Sequence, residues 1–405
     1  MYNIKLTDYP TAPSPAAQKI PGMIVAAHYY AAWKKGAALL HKGFDDLHDW
    51  PERTPLMGYY DEENPEVCDW EIKWAVEHGI NCFIYCWYRY KENYGKPVTQ
   101  DALRCGHGIH EALFHAKFAP YMKFAIMYEA SPRWCGTDEK DIVENLMPFW
   151  TENYFKRENY LVIDGKPVIF VYNQKRLANE CFADVSSQAR AFERCREYAV
   201  KAGFSGLIFA AESWQTEKQY YDELRARGYD FSFGYSAYYK PSAPDPTDAE
   251  ITAGQLARLD KYLSLDPMRV ATASCFRDST PRFSQKWVEL GYRFAEWDPY
   301  PWYLSPEGYR DCIFAMTKRL LTLPEGSWGK RLFMIDNWNE WDEGHFVAPS
   351  VSFGFRYLEA IRASLTCCDN LPDYRMPQDI GFTGLGKSWK EPDLASVCRK
   401  KFSLK

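Results

Sequence analysis

Two glutamates, Glu340 and Glu343, stand in a run of amides, indoles and acids: Asp336-Asn337-Trp338-Asn339-Glu340-Trp341-Asp342-Glu343-Gly344-His345. The run continues an apolar stretch, Phe333-Met334-Ile335, so the carboxylates fall at the end of an expected strand. A carboxyl among apolar neighbours is pushed towards neutrality and can protonate a leaving oxygen. A second, ionised carboxylate can then act as base or nucleophile. Indole faces stack on the C–H faces of pyranose rings, and Asn and Glu bind hydroxyls. These residue types and this spacing point to chemistry on a glycoside.

Such groups need a scaffold that brings several strand ends to one place. Apolar runs at 23–30, 80–87, 121–129, 166–172, 207–211, 229–235, 269–275 and 332–337 read as strands. Helical patterns follow them, at 69–79 (with Asp69 as cap), 101–119, 137–155, 186–203, 217–228, 252–265, 306–321 and 353–363. Asp164-Gly165 marks a tight hairpin turn leading into the fourth strand. Strict alternation predicts a parallel sheet, and eight units predict a (β/α)8 TIM barrel, an α/β fold. The segment 31–67 is a long loop after strand 1, either a functional cap or unrecognised helix. The expected division is an N-terminal arm over 1–21, a catalytic barrel over 22–365 and an irregular C-terminal tail over 366–405 packed on the barrel.

The active site of such a barrel lies at the C-terminal ends of its strands. Those ends supply His28, Tyr29, Tyr30 and Trp33; Tyr85, Trp87, Tyr88 and Arg89; Tyr128 and Glu129, with Arg133 and Trp134 beyond; Tyr172 and Asn173; Glu212, Ser213 and Trp214; Tyr235, Tyr238 and Tyr239; Arg277 and Asp278; then Asn337, Trp338, Asn339, Trp341 and His345 around the glutamate pair. All eight ends offer an aromatic or a hydroxyl-binding group, as a carbohydrate cleft requires. From residue types alone, two layouts are open. Glu340 could pair with Glu129 or Glu212 on another strand, or Glu340 and Glu343 could both be catalytic.

Composition narrows the classes. Net charge is −5, which gives no electrostatic footing for nucleic acid or an anionic membrane, and aromatics reach 17 % of the chain. No apolar run approaches the roughly 20 residues of a membrane span. The first twenty residues lack the apolar core of a signal peptide, so a cytoplasmic location is expected. Twelve scattered cysteines without a C-x-x-C or zinc-ligand spacing read as free thiols, with no metal and no cofactor. No dinucleotide-binding or P-loop glycine pattern is present.

The segment Trp338-Asn339-Glu340-Trp341-Asp342-Glu343-Gly344 resembles the Asn-Glu-Trp-x-Glu-Gly motif of glycoside hydrolase family 99, the endo-α-mannosidases and endo-α-mannanases. It also resembles the WbsX-type proteins of bacterial polysaccharide clusters. His28-Tyr29-Tyr30-x-x-Trp33, Gly79 to Tyr88, Asp164-Gly165-Lys166-Pro167-Val168 and Ser274 to Arg282 are similar to further segments of these families, so the resemblance spans roughly 22–365. It implies a TIM barrel and retaining cleavage of an α-linked, mannose-like glycan. Glu340 would deprotonate the sugar's own 2-hydroxyl, and Glu343 would serve as general acid/base. Asp342 stands where family 99 has His. The expected partner is an oligosaccharide or polysaccharide. The alternatives are a WbsX-type glycosyltransferase of polysaccharide biosynthesis and a non-catalytic carbohydrate-binding barrel.

Overall fold

A computed structural model of the chain describes residues 10–35, 43–132, 135–282 and 300–380. Arg133, Trp134 and the outer part of the expected tail, 381–405, lie outside these residues. Eight parallel strands form the centre: β1 (Ile24–Tyr29), β2 (Cys82–Arg89), β3 (Lys123–Glu129), β4 (Lys166–Tyr172), β5 (Ile208–Glu212), β6 (Phe231–Phe233), β7 (Ala271–Ala273) and β8 (Leu332–Asn337). They pair in the order β6-β5-β4-β3-β2-β1-β8-β7. The two ends of this path meet at one parallel bridge, Ser232 to Arg269, where Val270 N–H donates to the Ser232 carbonyl at 2.9 Å. The sheet thus comes close to full closure, and the (β/α)8 barrel is the fold. Strands buried between helices and barrel interior carry apolar residues on both faces, as the near-continuous runs of β2 and β3 do.

The main helices are α1 (Pro65–Glu77), α2 (Val185–Lys201), α3 (Lys218–Ala226), α4 (Asp248–Leu265), α5 (Pro306–Leu321) and α6 (Arg356–Leu365). α1 starts four residues before the expected Asp69 cap. Asn64 accepts from Glu66 N–H and Pro65 takes the first turn, where its missing N–H costs nothing. Asp69 instead accepts from the Phe118 N–H at 2.8 Å. α4 also starts early, on a capping box of Thr247 and Glu250. The expected helix over 101–119 is broken into a two-residue strand, Leu103–Arg104, and short turns of helix. Cys105 there has φ +59°, which ends any regular element, and a Cβ on Gly108 would sit 2.7 Å from that of Ala31. The 139–155 stretch is helical, in alternating α and π turns, from the Asp138 cap.

The hairpin at Asp164-Gly165 forms as its sequence predicts, with φ +53° and +74° at the turn and Ile163 paired to Lys166. The expected 31–67 loop gives way to α1 at Pro65; among its described residues it carries two short helical turns, Gly43–Leu47 and Pro51–Arg53, and buries Trp33, Phe44 and Tyr60. At the opposite end of the barrel, the described tail docks on α1: Asn370 donates to the Glu77 carbonyl and Asp373 N–H to the Glu77 carboxylate, each at 2.8 Å. Among the described residues every cysteine is unpaired, and no helix is long and apolar enough to cross a membrane.

Candidate active site

The end of β8 departs from regular alternation, and that departure builds the site. Along the β1–β8 ladder Ala27 pairs with Ile335, but His28 pairs with Asn337, so Asp336 is an extra residue in β8. Such a bulge re-aims side chains. Here Asp336 Oδ1 and Asn337 Nδ2 both reach His345 Nδ1, at 2.7 and 3.3 Å. The chain then doubles back as a small antiparallel pair, Asn339–Glu340 against His345–Phe346, with Glu340 opposite His345. Gly344 makes this reversal with φ +58°, and a Cβ there would lie 2.4 Å from the Asp278 carbonyl oxygen. The segment after β7 docks onto the same reversal, Asp278 N–H donating to the Gly344 carbonyl at 3.1 Å.

This placement brings both motif glutamates onto one guanidinium. Arg282 Nη2 donates to Glu340 Oε1 at 2.7 Å, its Nε donates to Asp342 at 2.9 Å, and its Nη1 binds Glu343 Oε1. Tyr235 at the end of β6 donates its hydroxyl to Glu340 Oε2 at 2.5 Å. Glu343 Oε2 faces His345 Nε2 at 2.9 Å and Arg277 at 3.4 Å. The two carboxyls are driven apart. Burial, then the charge of Glu343, raises Glu340 to about 7 against the pull of Arg282. Burial opposes the charge on Glu343 too, but Arg282, Arg277 and His345 together hold it well below the usual carboxylate range. Burial disfavours a charged His345, yet Asp336 and Glu343 raise it to about 9.

A second pair of carboxyls lies at the ends of β3 and β5. Glu129 accepts from Asn173 at 2.8 Å and from Ser131 N–H at 2.9 Å, and Glu212 accepts from the Tyr238 hydroxyl. Burial lifts each to about 7. Tyr172 lies within electrostatic reach of Glu212, Glu129, Glu343 and Arg277, and packs 5.2 Å from Tyr235. Tyr30 lies beside Arg282, 5.9 Å from ring to guanidinium, and half-buried Tyr88 lies within electrostatic reach of Glu129 and Glu340.

Other expected contacts face elsewhere. Tyr29 and Trp338 turn to α1, where both donate to Glu71, at 2.7 and 3.0 Å. Tyr85 packs on Tyr29 behind the sheet, and Trp87 donates to the Tyr154 hydroxyl at 3.0 Å. Trp33 packs on Phe44 inside the long loop, and Trp341 donates to the Tyr60 hydroxyl at 3.2 Å. All these indoles are buried, so they offer no stacking face; Trp214, 47 % exposed, does. Period-two alternation explains the split: Phe83, Tyr85 and Trp87 share one face of β2, while Cys86 and Tyr88 share the other. His28 is buried and pushed down to about 4 by burial, with Nδ1 on the Asp336 carbonyl and its ring 4.8 Å from Tyr235. Asn339 bridges the Tyr30 N–H and Glu62 at 2.8 and 3.0 Å, and Asn337 Oδ1 lies 3.3 Å from the Tyr235 hydroxyl, whose proton points to Glu340 at 2.5 Å. Asp278 is taken by Arg53 at 2.5 Å.

Sequence reasoning missed Arg282, Asp336, Glu62 and Glu71 as parts of this arrangement. Arg282 closes the segment Ser274 to Arg282, so an arginine ending a segment next to the strand carrying the pair was the available signal.

Residues 136–361 match the family model described as glycosyltransferase WbsX. Two curated proteins named uncharacterized protein WxcX, from Xanthomonas campestris pv. campestris strains B100 and ATCC 33913, are 24% identical over 342 and 340 residues. These alignments cover 79% of this chain and 44% of each relative, so the chain spans less than half of their length. Among solved structures, a GH99 endo-α-mannosidase from Bacteroides thetaiotaomicron in complex with BIS-TRIS-propane is similar at TM-score 0.55 and 15% identity, over 84% of this chain and 95% of that one. A glycoside hydrolase-like protein is similar at TM-score 0.58 and 15% identity, over 88% and 97%. These two likenesses are of fold.

Proposed function

The chain belongs to the WbsX glycosyltransferase family, and within it we propose a glycan-processing enzyme that cleaves an α-linked, mannose-like glycan with Glu340 and Glu343. The observation that carries this reading is the convergence of both carboxyls on Arg282 at the mouth of the barrel, with Tyr235 on one and His345 on the other. Of the two layouts open from sequence, the adjacent pair is the one this geometry favours. Glu129 and Glu212, each satisfied by neutral donors, are assigned to hydroxyl binding.

The pair acts as a unit. With Glu340 raised to about 7 and Glu343 held ionised, the two share one proton below about pH 7, and in the free site it resides on Glu340. Cleavage through a 2-hydroxyl nucleophile needs the other arrangement, with Glu340 as base and Glu343 as acid. Transfer of that proton from Glu340 to Glu343 supplies it with no net uptake, and it requires bound substrate to weaken the combined hold of Arg282, Arg277 and His345 on Glu343. The 2-oxygen is then an internal nucleophile at high effective molarity, and no carboxylate is required beneath the anomeric carbon. In the second half of the reaction water attacks the anomeric carbon and yields its proton to Glu343, the bond from that carbon to the 2-oxygen breaks, and the 2-oxygen takes its proton back from Glu340.

The family's description favours a second reading, transfer to a sugar acceptor. The same site performs it if an acceptor hydroxyl replaces water in the second half-reaction. Product analysis on α-linked oligosaccharides, with and without acceptor sugars, separates the two. Reducing sugar alone supports hydrolysis, lengthened acceptors support transfer, and activity that survives in both Glu340→Gln and Glu343→Gln removes the assignment.

A further inference from the structure

Three groups in line run from β8 into the site. Asp336 Oδ1 lies 2.7 Å from His345 Nδ1, and His345 Nε2 lies 2.9 Å from Glu343 Oε2. Asp336 is 1 % exposed and His345 is fully buried, so neither touches a ligand in the cleft. The bulge that places Asp336 on this line serves no strand pairing on the β1 side, because His28 skips to Asn337. With Oε2 fixed by the imidazole, Glu343 is left with Oε1 as its working oxygen, the atom now on Arg282.

We propose that Asp336 and His345 form a clamp that positions Glu343, with His345 as a doubly hydrogen-bonded imidazolium that orients the carboxylate and presents Oε1 to the glycosidic oxygen. The inference rests on the proposed role of Glu343 and adds two positioning residues to it. Tautomer chemistry requires Asp336 for this. An acceptor on Nδ1 is satisfied only by an N–H there, and a carboxylate acceptor on Nε2 requires an N–H there too.

The neighbours pull in both directions, and the two carboxylates outweigh the rest. Asp336 and Glu343 favour the imidazolium. Arg277, 3.4 Å from Nε2, opposes it. His28 across β1 stays neutral, its own protonation being disfavoured by burial and by His345. Tyr235 presents its ring, 5.6 Å away, and Asn337 its amide nitrogen, 3.3 Å from Nδ1, a donor that opposes a proton there but lies farther than the Asp336 carboxylate at 2.7 Å. Glu340 stands on the same hairpin and is itself influenced by the His345 charge. His345 is held near 9, so the clamp persists through neutral pH and opens as pH rises past that value.

The direct test is the ¹⁵N spectrum of the histidine rings in the full chain, with His345 assigned among the eight histidines by the signal missing in His345→Gln. The expected result is both ring nitrogens protonated at pH 7.5, and an ionisation midpoint that falls by at least about one unit in Asp336→Asn. A neutral His345 at pH 7.5 in the wild type overturns the clamp, and so does a midpoint unmoved by Asp336→Asn. The wild-type spectrum decides the first point even if the variant fails to fold. On a glycan that the wild type cleaves, Asp336→Asn should lower kcat about 10- to 100-fold, leave KM within about threefold and move the alkaline limb of the profile to lower pH. Lost kcat with an unmoved limb overturns the proposal. A charged His345 in a protein that turns over no glycan leaves the clamp standing and removes the proposed function instead.

Discussion

Replacing Arg282 with Met keeps the length and apolar stem of the side chain and deletes its charge. The wild-type guanidinium is 18% exposed at its side chain and is shared by Glu340, Asp342 and Glu343. Each contact near 3–4 Å is an attraction of about 4 kcal/mol at an effective dielectric near 20, largely offset by the cost of burying the charges. Removing one partner of such a set leaves the rest uncompensated and costs about 3–5 kcal/mol. With about 2.1 cal/mol/K of unfolding entropy per residue over 405 residues, that corresponds to a fall of about 4–6 °C in Tm at pH 8.

The sign with pH follows from the two glutamates. Glu340 is raised from 4.5 to about 7, so its contribution is full below 4.5 and lost as pH rises through 7. Glu343 is depressed, so its contribution is present above 4.5 and lost as pH falls through its folded value. At pH 5 Glu340 is already protonated and one fewer charge is stranded, so the Arg282→Met deficit should shrink by about 1–2 kcal/mol. Differential scanning calorimetry of both proteins at pH 5 and pH 8 measures this. A variant as stable as wild type at pH 8, or a deficit that grows towards pH 5, would refute the shared-guanidinium reasoning.

Other perturbations separate packing from binding. Trp338→Ala and Trp341→Ala remove buried indoles and should cost about 3–5 kcal/mol each in thermal or urea unfolding. Trp214→Ala should leave Tm within about 1 °C while weakening glycan binding about tenfold by calorimetry, since its exposed face has little packing to lose. Glu71→Leu strands the Tyr29 hydroxyl and the Trp338 indole N–H, and should destabilise by about 2–4 kcal/mol. Gly344→Ala meets both a positive φ and the Asp278 carbonyl, so it should abolish activity while far-UV circular dichroism still reports a folded barrel.

The barrel was legible because its signals are periodic. Apolar runs, the Asp164-Gly165 turn and the Pro306 helix start each have a local cause that acts wherever the sequence places it. The 101–119 stretch misled because composition there favours helix, while Cys105 and the close packing of Gly108 against Ala31 are tertiary facts. The adjacent carboxyls were legible as a pair, since three residues after a strand end leave them little room to separate. The aromatic floor was half legible. Sequence shows an indole at a strand end but not which face of the strand it takes, and Trp87 and Trp338 took the helix side. Asp336 and Arg282 were hidden for another reason. One acts because a bulge breaks alternation in β8, and the other because the segment after β7 folds back onto the β8 reversal.

Joint action of Glu340 and Glu343 on a glycan is the core of the proposed function. Its most direct test is product detection by mass spectrometry on a panel of α-linked oligosaccharides, mannans included, with wild type, Glu340→Gln and Glu343→Gln side by side. The expected result is cleavage or transfer by the wild type and a loss of at least about 10³-fold in each variant on substrates with poor leaving groups. Turnover that persists in both variants, or that vanishes in Glu129→Gln or Glu212→Gln while the motif variants stay active, would contradict it.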